Sequence, residues 1–191
     1  MKIILALLVS VLAAPSIAAE LNITSIFNYA KLQQTVMDQA ETQNLGWKVG
    51  DSADYSINMG FIKGTMKSFV REETSEGYWV EQNVDLMIQK SKVEILFDKA
   101  TGQVLQFLVN GQKQEMPNPE DQEIVDMQEA NITVPAGTFD CIYVKILNKK
   151  DNSESEAWIN PNEIPISGLL KQLSNSQFGK VTVELKSFQK N

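Results

Sequence analysis

Glu72, Glu73 and Glu76 are close-set carboxylates, and a pair of acids can hydrolyse a glycoside without any histidine. Here they flank the Glu76-Gly77 turn signal, so the bland reading is a solvated hairpin edge. The chain has no histidine and one arginine, Arg71. That removes Ser-His-Asp and Cys-His nucleophilic catalysis, histidine bases and histidine-bearing zinc sites together. Cys141 is the only cysteine and has no histidine to activate it, so it reads as a small buried hydrophobe. A run of acids, Glu115, Glu120, Asp121, Glu123, Asp126 and Glu129, invites calcium, yet its spacing matches no EF-hand loop and no glycine lies inside it. It reads as a solvated loop over 116–129. The expectation is therefore no catalytic residue, no metal site and no cofactor.

Any site must be positioned by the elements around it. Residues 24–45 carry an amphipathic helical pattern, with Ile26, Tyr29, Val36 and Met37 on the apolar stripe and amides, hydroxyls and acids opposite. A helix of that length is marginal alone in water and is expected to dock as a lid. After Trp47 the period changes from 3.6 to 2: Tyr55, Ile57, Met59 and Phe61 alternate with Ser56, Asn58 and Gly60. Similar runs follow at 64–72, 78–88, 92–98, 104–110, 138–147, 154–160 and 180–188, and short turns such as Asn110-Gly111 separate them. Short connections demand antiparallel neighbours. Leu169, Leu170 and Leu173 have the spacing of a short capping helix. The expected fold is α+β: an N-terminal amphipathic helix packed on a curved antiparallel meander, an unclosed barrel of about eight or nine strands.

Composition sets the compartment and excludes partners. Lys2, the apolar run 3–14 and the small residues Ser16, Ala18 and Ala19 read as a signal peptide over 1–19, leaving one periplasmic domain over 20–191. No cysteine stands directly after the apolar run, so a bacterial lipid anchor is not expected. Removing Lys2 from the 17 basic residues leaves 16 against 24 acidic ones, a net charge of −8. That charge argues against nucleic acid and against anionic lipid headgroups as default partners, and stable membrane insertion is not expected, since no later apolar run approaches the length of a span.

Val134-Pro135-Ala136-Gly137-Thr138-Phe139-Asp140-Cys141 is the most distinctive string, a turn with proline second and glycine fourth that launches a strand. With Ala157-Trp158-Ile159 and the 164–170 segment, it resembles uncharacterised bacterial periplasmic domains similar to the LolA/LolB-like lipoprotein-carrier fold. That resemblance implies an unclosed antiparallel barrel around an apolar cavity, with helices as a lid. It also implies a placed arginine, whereas Arg71 sits in a Val-Arg-Glu-Glu context that reads as a solvent-facing strand end.

The leading functional expectation is a soluble, exported, non-enzymatic binding module for an apolar or amphipathic ligand, lipid or lipoprotein-like. Tyr55, Ile57 and Met59, with Trp158, Val181 and Val183, are its lining candidates, and the same residues would be plain core if the cavity is filled. The alternative is an envelope interaction or assembly factor that presents an edge strand or the acidic segment to a protein partner.

Overall fold

The computed structural model describes residues 45–87, 89–115, 119–176 and 179–191, which form one eleven-stranded antiparallel sheet. The strands are β1 (Ser52–Met59), β2 (Ile62–Glu73), β3 (Gly77–Leu86), β4 (Gln89–Asp98), β5 (Val104–Val109), β6 (Gln112–Lys113), β7 (Gln122–Val134), β8 (Gly137–Asn148), β9 (Ser153–Ile159), β10 (Leu169–Ser176) and β11 (Gly179–Gln189). Their order is β6-β5-β4-β3-β2-β1-β11-β10-β9-β8-β7. The meander is thus folded about its first strand, and β11 returns to pair with β1.

This corrects the expected α+β class with eight or nine strands. The only helical element among the described residues is a 3-10 turn, Pro119–Asp121. The expected signal peptide and the helix with Ile26, Tyr29, Val36 and Met37 lie outside the described residues. The acidic segment is strand β7 from Gln122 onward rather than a loop, and the Leu169–Leu173 segment is strand β10 rather than a helix.

The alternation in β1 does what a period of 2 requires: Ala53, Tyr55, Ile57 and Met59 are buried, while Asn58 is exposed. Tight turns hold the register. Asn110 and Gly111 both have positive φ, 51° and 77°, as a type I′ hairpin demands, and Val109 pairs with Gln112 across them. The sheet also curls. On a flat sheet β8 would lie about 14 Å from β11, three strand spacings away. Instead the Ala136 N–H at the β7–β8 turn donates to the Leu185 carbonyl on β11 at 3.2 Å, and the Phe139 and Phe188 rings meet at 6.3 Å. Among the described strands β6 and β7 remain edges, so the curl does not close.

Two apolar clusters occupy the buried face. One gathers Tyr55, Ile57, Met59, Ile159, Leu170 and Leu185 with their neighbours from β1 to β3 and β7 to β11. The other gathers Val70, Tyr78, Val93 and Phe97 from β2 to β4 with Trp47, whose ring stands edge-on to Phe97 at 5.3 Å. The β9–β10 connection joins them: Ile164 is buried in the first cluster and Ile166 in the second. Ile166 does so at φ 70°, a left-handed conformation that costs a β-branched residue about 1–3 kcal/mol. Burying its side chain contributes about 1.5–3 kcal/mol, enough to hold the strained strap down.

Gly168 closes that strap at φ 66°, where a Cβ would stand 2.8 Å from the Pro161 nitrogen and 2.9 Å from its Cα. Gly168→Ala is expected to cost about 2–4 kcal/mol, the left-handed penalty plus the clash with backbone, read as a lowered urea midpoint. An unchanged midpoint would mean that the strap is not held as described.

Candidate functional site

Five of the six expected lining residues come together. Tyr55, Ile57 and Met59 lie on β1 and Val181 and Val183 on β11, with Ile57 directly opposite Val183, and all five are packed at 3% exposure or less. Burial pushes the Tyr55 phenol far above its usual range, and the Ser167 side chain of the strap lowers it only in part. Trp158 is half-buried and packs only at the margin of their cluster. The register sets it between Tyr143 and Lys171, on the face opposite Ala157 and Ile159, where its ring packs on Tyr143 at 5.1 Å. Strand parity decides this, because the buried face of β9 takes Ser155, Ala157 and Ile159.

Arg71 also stays away from the apolar face. Its guanidinium donates to Glu94, lies 3.6 Å from Glu81 and stacks 5.4 Å from the centre of the Trp79 ring. Glu81 and Glu94 face each other across β3–β4 and alternate with the buried Val80 and Ile95. Desolvation raises the Glu94 carboxyl, but hydrogen bonds and charge from Arg71 and Lys92 outweigh it and hold its pKa below the usual carboxylate range. Because the folded pKa is depressed, the stability this cluster supplies is complete above about pH 4.3 and is lost as pH falls through the lower folded value. Glu94→Gln should therefore lower the urea midpoint at pH 7, with the gap to the native chain narrowing below pH 4. A gap independent of pH would contradict this.

The remaining chemical candidates sit as follows. Glu72 and Glu73 are exposed at the end of β2 and Glu76 in the turn that follows, with Glu73 paired to Lys99. Cys141 is buried, its thiol within 3.4 Å of the Ala130 carbonyl, and its pKa is raised by burial and by the Asp140 charge. That environment disfavours the thiolate.

Strand β7 is where backbone chemistry is most available. It pairs with β8 over its whole length, Gln122 opposite Asn148 through Val134 opposite Gly137, and no described strand lies on its other edge. Five successive residues, Val125 to Glu129, are exposed, so both faces of the strand meet solvent there. Val125 and Met127 leave 45% and 48% of their surfaces open, between the acids Glu123, Asp126 and Glu129. A bulge between Ile124 and Asp126 sets Val125 outside the ladder. Beside the far half of β7 lies a cleft of ≈ 640 Å³, lined in part by Glu129, Asn131, Asp140, Asn160 and Asn162. Its rim is braced, since Asn131 donates to Asp140 at 2.8 Å and Asn160 donates to the Asp140 carbonyl at 2.9 Å. The edge and the acidic segment, which the sequence presents as two alternatives, are one element.

No family model matches the chain, and no curated protein matches its sequence. Several solved structures are similar in shape. A hypothetical protein from Chlamydia trachomatis aligns at a TM-score of 0.46 with 15% identity, covering 76% of this chain and 89% of that one. A candidate lipoprotein from Parabacteroides distasonis aligns at 0.41 with 15% identity, covering 78% and 100%. The Pseudomonas aeruginosa MucA/MucB complex aligns at 0.43 with 13% identity, covering 84% of this chain and 56% of that one. None of the three is named as a Lol carrier. At these scores and identities the likeness carries no functional argument.

Proposed function

We propose that this chain is an exported, non-enzymatic envelope protein that binds a protein partner by accepting an extended segment along β7. Export rests on the signal-like residues 1–19, and binding rests on one observation: a 13-residue strand with a single ladder among the described residues and with both faces open from Val125 to Glu129. A sheet edge offers a row of N–H and C=O groups to an incoming strand, and alternate side chains select which strand is taken. Glu123, Asp126 and Glu129 disfavour a second copy of the same edge by like-charge repulsion, while Val125 and Met127 supply apolar contact. The fitting partner segment alternates apolar with basic residues.

An apolar or amphipathic ligand on the buried face is the second reading. It would have to reach Tyr55, Ile57, Met59, Val181 and Val183, which are already packed, whereas the β7 edge needs no rearrangement. A photo-crosslinking residue placed at Val125 or at Met127 in living cells tests the edge directly. The expected result is one protein adduct from both positions, absent from the control position Lys67 and reduced about tenfold by Asp126→Lys with Glu129→Lys. Equal adducts from Lys67, or none from β7, would sink the proposal.

A further inference from the structure

Two hairpin tips at one end of the sheet carry large apolar side chains where turn chemistry calls for none. The β1–β2 turn is Gly60-Phe61, with Gly60 at φ 74°, and Met59 pairs with Ile62 across it. A two-residue turn with glycine first needs nothing of its second residue beyond ordinary backbone, and polar residues dominate such positions. Yet Phe61 stands 80% exposed. The β3–β4 turn begins with Met87, 77% exposed, after Leu86 has paired with Gln89. Because Gly64 lies opposite Leu86, both tips leave the same end of the sheet, and two strand spacings set them about 10 Å apart. The Met87 N–H donates to the Lys63 carbonyl at 3.3 Å, so the second tip is tied to the strand that carries the first.

The charge around these tips is opposite in sign to that of the whole chain. Among the described residues, the charged ones at this end of β1 to β4 and β11 are Lys63, Lys90 and Lys180 against Asp85, a local balance of +2 in a chain of net charge −7. Lys90 pairs with Asp85 at 2.8 Å but keeps 80% of its side chain exposed. Long lysine stems lie along apolar surface while their ammonium groups reach outward. We infer that the Phe61 and Met87 tips dock the protein reversibly on an anionic lipid surface, the two apolar side chains entering the interface and Lys63, Lys90 and Lys180 meeting headgroup phosphates.

This arrangement spans nothing and leaves the sheet in water, with β7 five strands from β1 in the sheet order. A second copy of the chain is the poorer occupant, since it would bring two lysine-rimmed tips together. Two inserted side chains bury less apolar surface than one acyl chain, so binding should be weaker than the about 10⁴ M⁻¹ such a chain gives, and reversible. The test is flotation of the exported protein, purified with its N-terminus as the cell leaves it, with vesicles of phosphatidylcholine alone or with one-third phosphatidylglycerol. The native protein should float with the anionic vesicles and much less with the neutral ones. Phe61→Ser with Met87→Ser should lower its partition by about tenfold or more without moving the thermal midpoint, because neither side chain is packed. Lys63→Glu with Lys90→Glu should abolish the preference for phosphatidylglycerol. No flotation, equal flotation of the serine variant, or a native dimer that those serines dissolve would each overturn the inference.

Discussion

Replacing Gly77 with alanine is expected to cost about 3 kcal/mol or more, because the new Cβ would stand 1.8 Å from the Phe97 carbonyl oxygen and 2.8 Å from its carbon. Both atoms are backbone, so no rotamer can relieve the contact. The first pairs of the ten-residue β3–β4 ladder, Gly77 with Asp98 and Tyr78 with Phe97, would have to part. Their parting would also open the ring cluster of Trp47, Tyr78 and Phe97. Gly111→Ala is the matched control: at φ 77° it meets nothing within 4 Å and should cost only the left-handed penalty, about 1–2 kcal/mol. Urea midpoints of the two variants check the ranking, and a Gly77 variant no worse than the Gly111 variant would contradict the described approach of β3 to β4.

Ile159→Ala is the second large effect, about 2–5 kcal/mol, against a total of roughly 5–15 kcal/mol for a domain. Ile159 is fully buried and lies in register with Ile142 on β8 and Leu169 on β10. It is the last residue of β9 before the strap, whose Ile164 packs in the same cluster. Truncation leaves a cavity under three strands and loosens the hold on Ile164, so relaxation can recover little of the loss. Ile159→Val should cost only about 0.5–1.5 kcal/mol. Equal costs for the two variants would mean that the site collapses freely, which a packed cluster does not permit.

The strands with one apolar and one polar face were legible in the sequence, and the three others were not, each for a physical reason. In β1 the buried positions are all apolar, so period 2 is plain. In β10 the buried positions include Gln172 and Ser174, so the apolar residues left visible are Leu169, Leu170 and Leu173, a helical spacing. Tertiary pairing with Ile159 and Val183 overrides that pattern. Strand β7 is an edge with little to bury, and its bulge at Val125 breaks the alternation, so its acids read as a loop. Strand β6 is two exposed residues, too short to show any period, although the Asn110-Gly111 turn before it was correctly readable. The Val134–Gly137 corner likewise forms as read, joining β7 to β8. Of the site, the acidic segment and an open edge were each foreseeable, but their identity was not, because it depends on β7 lying last in the sheet. The face Trp158 takes was not legible for the same kind of reason: it follows from the pairing of β9 with β8 and β10, which no local pattern reveals.

The open β7 edge carries the functional proposal, and amide hydrogen exchange along residues 123–131 tests it most directly. In an antiparallel pair, successive residues turn their N–H groups alternately toward and away from the partner strand. If β7 is bonded only to β8, slow and fast amides will alternate along this stretch, with the register shifting at the Val125 bulge. Uniform slow exchange from Glu123 to Asn131 would show that both sides of β7 are already paired, and would contradict an edge free to take a partner.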